Sequence, residues 1–399
     1  MATALNDKTP PAELESLDNV QPGYLGISPA PGQLPQKGAR MWVDRPEQLL
    51  QAVNILKQSK VIAVDAEFTT VRSHLQGDTS APSHRLALLQ LAIERHCFVV
   101  DTLRLNDLSP LTAVIANPDT IILLHGAGSD MRVMAERGLN VAHYYDLEAA
   151  SRSIFGQHES SLAAMLQRAF NVRLDKSLQR TDWTRRPLPP AMIAYAARDA
   201  EMTLALYTWM AQHYAWALKL HENTSQMEPV AAWIEPFLRG TASVSAEMAV
   251  AAAKAQGIIL DGAQIVDECR VALSNLIHPM YRSRLLRLIA DLSLVELVPD
   301  IELLLQAPTS DERAASARAL GRLGVKPAAA LIQPLLQDPV QDVRKSAQTA
   351  LRNLGGKVPR PQGPAAKIVD GARTWTIGEP TPAEDESDWK ARLRAMMGE

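Results

Sequence analysis

Asp65 and Glu67 sit two residues apart inside the apolar run Val-Ile-Ala-Val-Asp-Ala-Glu-Phe (61–68). A third acidic residue, Asp130, closes His-Gly-Ala-Gly-Ser-Asp (125–130). A fourth, Asp199, follows Tyr195 in Tyr-Ala-Ala-Arg-Asp (195–199). Carboxylates among apolar residues cost free energy unless positive charge compensates them. A pair of divalent metal ions would compensate them and would also carry phosphodiester chemistry. Hard oxygen donors suit Mg²⁺ or Mn²⁺, and the lack of a His/Cys cluster argues against zinc.

These residues need elements that aim them. Residues two apart on a strand face the same way, so Asp65 and Glu67 project together while Val64, Ala66 and Phe68 face the other side. Residues four apart on a helix share a face, which joins Tyr195 to Asp199. Asp130 follows the strand-like Leu123-Leu124 and falls in the first turn of a helix, where the helix dipole favours an acid. Each stretch alone has a plain structural reading. The pair fits the wet face of an edge strand, Asp130 fits a helix start, and Tyr195 with Asp199 fits a buried hydrogen bond.

Strand-like runs cover 61–68, Leu86 to Ile93, Cys97 to Val100 and Ile121 to Leu124, with a fifth near Val141 to Asp146. The first three are closely spaced, which suggests an antiparallel meander. Helices are expected from about Pro46 to Gln58 with Asp44 as cap, from Ser129 to Arg137 before Gly138, near Ser160-Ser161, and from Pro190 past Asp199 to about Leu218. Three strands, then a helix, strand, helix and strand, make a mixed α/β layer. From about 228 no strand signal survives. Ala319-Leu320-Gly321-Arg322-Leu323-Gly324 returns as Ala350-Leu351-Arg352-Asn353-Leu354-Gly355, 31 residues later. Leu304-Leu305-Gln306-Ala307-Pro308 returns as Leu335-Leu336-Gln337-Asp338-Pro339 at the same offset. Each unit reads as two amphipathic helices that bury their apolar faces only when stacked. This pattern resembles short HEAT-like repeats.

The order of motifs is more telling than any one of them. Asp-x-Glu on a strand, His-x4-Asp after a strand and Tyr-x3-Asp on a late helix resemble the DEDD superfamily of 3′→5′ exonucleases, in the subgroup with a tyrosine in its third motif. Within it, the chain looks like ribonuclease D and its exosome-associated relatives. Leu88-Leu89-Gln90-Leu91, Leu174-Asp175-Lys176-Ser177, Thr181-Asp182-Trp183 and Arg186-Pro187-Leu188 add to the match, which covers about 41–216.

The resemblance implies a ribonuclease H-like mixed sheet, with three antiparallel strands and two parallel additions, flanked by helices and followed by an all-α helical-repeat region. It implies two metal ions about 4 Å apart. Asp65 would bridge both, Glu67 and Asp199 would serve the first, Asp130 would hold the second through water, and Tyr195 would orient the attacking water. The implied activity is a metal-dependent 3′→5′ exoribonuclease releasing nucleoside 5′-monophosphates. A DNA exonuclease fits the same motifs, because the metals act on the phosphate and ignore the 2′-OH. A non-catalytic binding module using the repeats is the third reading, opposed by the intact carboxylates. The loop between Glu67 and Gln90 looks longer than the family's, and no helicase-and-RNase-D C-terminal domain is recognisable.

Further candidates are weaker. Gln90 either reaches the terminal nucleotide or satisfies the sheet backbone. His125 either approaches substrate or is structural. Lys176, Arg180, Arg185 and Arg186 either line a phosphate path or form a solvated loop face interleaved with Asp175 and Asp182. Trp183 either stacks a base or anchors the core. Arg282, Arg284 and Arg287 could extend a basic surface at the first repeat.

Composition sets the frame. The chain has 399 residues and a formal net charge of −3, so binding of nucleic acid must rest on local basic patches or on metal. Cys97 and Cys269 are far apart and suit a reducing compartment. No apolar run approaches the ~18 residues that span a membrane, and the N-terminus does not read as a signal peptide. A cytoplasmic protein is expected. Its expected divisions are a proline-rich tail (1–38), the exonuclease domain (39–218), a helical connector (219–280), the repeats (281–356) and a charged tail (357–399). The expected partners are RNA in preference to DNA, with a protein partner on the repeats and no membrane.

Overall fold

A computed structural model describes residues 29, 31–35, 38–71, 83–174, 178, 181–224, 228–355, 367–370 and 373–376. The described residues up to 355 form one compact unit, and a second unit begins at Lys357.

One mixed sheet organises the first half. Its strands are β1 (Ala39–Val43), β2 (Val61–Val71), β3 (Ser83–Ile93), β4 (His96–Asp101), β5 (Ile121–Leu124), β6 (His143–Asp146) and β7 (Glu222–Thr224), in the spatial order β1-β4-β3-β2-β5-β6-β7. β2, β3 and β4 are the antiparallel meander, and β5 and β6 add in parallel beside β2. The expected five strands are all present. Two edge strands were not expected. β1 pairs in parallel with β4, and β7 pairs antiparallel with β6 inside the segment expected to be a helical connector. β7 reads Glu-Asn-Thr, too short and polar to carry any hydrophobic alternation.

Helices cover both faces: α1 (Pro46–Leu56), α2 (Thr112–Ile115), α3 (Gly128–Ala135), α4 (Leu147–Phe155), α5 (Leu162–Phe170), α6 (Pro190–His213) and α7 (Ala215–Leu220). Val64 and Ala66 face a core closed by Leu49, Leu56, Val133 and Met134 of α1 and α3. Ala63, Leu88 and Ala92 face the other way, under Met192, Ala196, Ala197 and Ala200 of α6. The face that carries Asp65 and Glu67 is thus roofed by the helix that carries Tyr195 and Asp199.

Three local expectations change. Asp44 does not cap α1. The Gln48 side chain accepts from the backbone of Asp44 and Arg45 instead, and Asp44 pairs with Arg104 at 2.9 Å. The run from Pro190 to Leu218 breaks at Tyr214, giving α6 and α7. Much of the span from Glu67 to Gln90 is not loop: β2 and β3 continue as a paired hairpin to Val71 and Ser83, with 72–82 outside the described residues.

The second half is helical, with α8 (Glu235–Arg239), α9 (Ala246–Ala255), α10 (Gly262–Asn275), α11 (Pro279–Asp291), α12 (Val298–Leu303), α13 (Ser310–Leu323), α14 (Ala329–Ile332) and α15 (Gln341–Asn353). The repeat is visible as recurrence: α11, α13 and α15 begin at 279, 310 and 341, 31 residues apart. The first helix of each unit is short, with 3₁₀ turns on both sides of α12 and of α14. α13 and α15 approach closely at Gly321, where a Cβ would meet Ala350 Cα at 2.6 Å.

Beyond 228 the absence of strands does not hold. β8 (Lys367–Asp370) and β9 (Arg373–Thr376) form an antiparallel pair in the second unit. Ile368, Val369, Thr374 and Trp375 are strand formers around the turn signal Asp370-Gly371, which four-residue strands in a charged segment obscure. The tail 1–28 and the helix expected near Trp389 to Met397 lie outside the described residues.

Candidate active site

β2 carries Asp65 and Glu67 onto the α6 face of the sheet, and the register puts Gln90 opposite Asp65 and Leu88 opposite Glu67. A register shift between Glu67 and Phe68 ends the regular pairing beside the acid pair, a device that re-aims side chains next to active sites. α6 supplies Asp199 from above. One oxygen each from Asp65, Glu67 and Asp199 lie within 4.8 Å of one another, and all three residues are partly buried.

Burial and mutual repulsion dominate their electrostatics. Burial first, then the charges of Asp130 and Asp199, pushes the Asp65 carboxyl well above the usual range. Burial and the charges of Asp65, Asp199 and Asp130 push Glu67 up to about 10. Tyr195 is raised by burial and by the charge of Asp199, to which its hydroxyl also hydrogen-bonds. Asp130 is buried in the first turn of α3 and raised to about 7, by burial and then by Asp146. It stands outside the mutually close trio, although its charge acts on Asp65 and Glu67.

A residue the sequence did not single out organises this corner. Asp146, at the end of β6, accepts from the backbone N–H of Gly126 (2.9 Å) and Ala127 (3.1 Å). It also caps α4 by accepting from Glu148 and Ala149. One carboxylate thus ties the loop before Asp130 to the start of α4. Gly126 has φ +80°, a backbone conformation that strains any side chain, and a Cβ there would displace the Glu148 carboxylate, 2.7 Å away. The available signal was an Asp directly ahead of a helical run, the mark of an N-cap.

The weaker candidates separate. Gln90 is fully buried, and neither its amide oxygen nor its nitrogen has a partner among the described residues. His125 is held down to about 4 by burial, so its imidazole is neutral near pH 7. Trp183 is 2 % exposed in the core beneath α6, 6.0 Å from the Tyr195 ring, and cannot stack a base. Arg186 is no phosphate ligand: it clamps Asp101 through two 2.7 Å contacts and donates to the carbonyls of Ala87 and Trp183. Arg282 is likewise engaged, at 2.7 Å from Glu312. Arg185 is exposed, and Lys176 and Arg180 lie outside the described residues.

The donor set fits divalent cations. It offers hard oxygens only, burial and mutual repulsion raise Asp65 and Glu67, and it borders the Gln90 amide, which has no partner among the described residues. Both cysteines are buried and free. Among the described residues, no helix is long and apolar enough to cross a membrane.

The same stretch is matched by sequence. Ribonuclease D of Haemophilus influenzae is 31% identical over 160 residues, which is 40% of this chain and 38% of that protein. The exosome complex exonuclease RRP6 of Saccharomyces cerevisiae is 34% identical over 169 residues, 42% of this chain and 22% of that protein. The chain therefore spans well under half the length of these relatives. The crystal structure of Escherichia coli RNase D aligns over 90% of this chain and 99% of its own, with 19% identity and a TM-score of 0.42. Residues 41–214 match the family described as 3′-5′ exonuclease.

Proposed function

We propose that the chain is a metal-dependent 3′→5′ exoribonuclease of ribonuclease D type, acting in RNA 3′-end processing or turnover and releasing nucleoside 5′-monophosphates. The observation that carries this is the meeting of Asp65, Glu67 and Asp199 oxygens within 4.8 Å on two elements far apart in sequence. Phosphodiester hydrolysis draws its Lewis acidity and charge neutralisation from two bound ions, here Mg²⁺ or Mn²⁺. Asp65, Glu67 and Asp199 would hold them, with Asp130 completing the second position. Tyr195, kept protonated and oriented by Asp199, has an O–H with which to position the attacking water. RNA is favoured over DNA because the sequence relatives are ribonuclease D and exosome exonucleases. The helical repeats, read as HEAT-like, offer a surface to a protein partner, and the free cysteines fit a cytoplasmic setting.

The test is release of mononucleotides from matched RNA and DNA strands labelled at the 3′ end. Wild type should act on RNA in Mg²⁺ and stop in EDTA, and Asp65→Ala should abolish hydrolysis while keeping the fold. Wild-type rates in Asp65→Ala would overturn the assignment. Equal rates on DNA would overturn the substrate choice alone.

A further inference from the structure

The helical half carries two kinds of basic residue, one bound inward and one turned to the surface. Arg282, Arg313 and Arg344 occupy the same place in successive 31-residue units. Each is bound inward, to Glu312, to Asp338, or to the carbonyls of Asp338 and Pro339. Arg287 and Arg318 share another recurrent place, exposed on α11 and α13, and Lys345 follows on α15. Arg318 donates to Ser346 Oγ at 2.7 Å and, like Lys345, has no ion pair among the described residues. Arg287 is 79% exposed and touches only Asp291 of its own helix, at 3.7 Å.

These three line one groove of about 490 Å³, whose opposite wall is the end of α4 with Arg152 and Gln157. Arg284 joins them, so the groove presents five cations against two carboxylates, Asp311 and Asp342. Both carboxylates act on Arg318, but both are already used to join the walls. Asp311 accepts from Ser153 Oγ at 2.5 Å, and Asp342 accepts from the Gln157 backbone N–H at 2.8 Å. Ser310 Oγ adds a bond to the Arg152 carbonyl at 2.9 Å. The groove is therefore preformed. A second groove of about 540 Å³ shares Arg284 and Arg287, but Glu247 and Asp291 also line it and Asp291 pairs with its Arg322, so the basic track lies in the first groove.

We infer that this track binds the phosphate backbone of a single-stranded nucleic acid whose 3′ end enters the carboxylate site. Packed helices lie ~8–10 Å apart, so Arg287, Arg318 and Lys345 form a row suited to a flexible polyanion. No aromatic side chain lines the first groove, so the contact is to backbone and indifferent to base. α4 links the two places: its first residue follows Asp146, which holds the loop before Asp130, and its nine residues span about 14 Å to the groove wall. The direction of the strand rests on the nuclease reading above; the binding itself does not.

The test uses the full chain in EDTA, where nothing is hydrolysed, and a fluorescent single-stranded RNA long enough to leave the carboxylate site. Combining Arg287→Glu, Arg318→Glu and Lys345→Glu should weaken binding at least about tenfold and make the salt dependence of log K shallower by about 2. In Mg²⁺ the same variant should hydrolyse a trinucleotide as wild type does. If the reversed variant has a lowered Tm, the Gln versions should still show the shallower salt slope. Unchanged affinity and slope would overturn the inference, as would equal displacement of the RNA by polyglutamate of matched charge. Groove-dependent binding by a wild-type protein that never hydrolyses would support the groove and sink only the nuclease reading.

Discussion

Charge is buried in opposite ways in the sheet half and the helical half. On the sheet, Asp65, Glu67 and Asp199 face one another, and Asp65 and Glu67 are pushed up by burial and by neighbouring negative charge. In the helical array, buried carboxylates are matched. Arg282 reaches Glu312, and Arg313 grips Asp338 at 2.7 and 3.1 Å, each at 5% side-chain exposure. The residue types are the same and the meaning differs. A buried acid gripped by its arginine holds the architecture, whereas acids that burial and one another push up fit a place where a cation binds.

The largest effect should come from reversing these roles. Arg313→Ala strands Asp338 and the carbonyls of Ala307 and Pro308, and should cost about 3–5 kcal/mol in urea unfolding. Asp65→Asn replaces a carboxyl whose charged form burial already disfavours, and should leave the metal-free protein at least as stable as wild type. A comparable loss in Asp65→Asn would mean that the sheet cluster is compensated within the protein, and the contrast would fail.

Asp146→Ala should have the next largest effect, and should act on the site through position alone. Losing its hold on Gly126 and Ala127 frees the loop that aims Asp130. Removing such supporting partners typically costs about 10–100-fold in metal affinity or activity. Mn²⁺ affinity and kcat should both fall, and Asp146→Asn should fall less because it can still cap α4. Unchanged Mn²⁺ affinity in Asp146→Ala would show that Asp146 supports only α4.

The two halves were also unequally legible. Asp65 and Glu67 could be read because an acid pair inside an apolar strand violates the local pattern, and a violated pattern points to a site. Tyr195 and Asp199 could be read from helical spacing. Asp146 could not, since an Asp ahead of a helix looks like any N-cap until the loop it holds is seen. The helical period was legible in Leu304-Leu305 and Leu335-Leu336, but the partners of Arg282 and Arg313 were not. Arg282 looked like surface charge because its acid, Glu312, is contributed by the next unit. β7 escaped for a related reason: three polar residues become a strand only because the exposed edge of β6 pairs with them.

The smallest effect is the pH profile of Tm, and it separates the regions most cleanly. In EDTA, Glu67 ionises near 4.5 in the unfolded chain and about 10 in the folded one, its carboxyl held neutral mainly by burial. Between those values the unfolded chain releases a proton that the folded chain keeps. Stability is therefore full at the acid end and declines as pH rises. His221 does the reverse. It sits at the seam, 2.7 Å from Ser153 Oγ, which in turn meets Asp311 of α13. Burial holds it down to about 3, so below its ordinary 6.5 the unfolded chain takes up a proton that the folded chain refuses, and stability declines as pH falls. Glu67→Gln should flatten only the alkaline flank, and His221→Gln only the acid flank. Mg²⁺ favours the ionised carboxylates and should lift the alkaline flank of wild type while leaving the acid flank in place. If Mg²⁺ moved both flanks equally, the seam and the carboxylate cluster would be one titrating system, and the division between matched and unmatched charge would not describe this molecule.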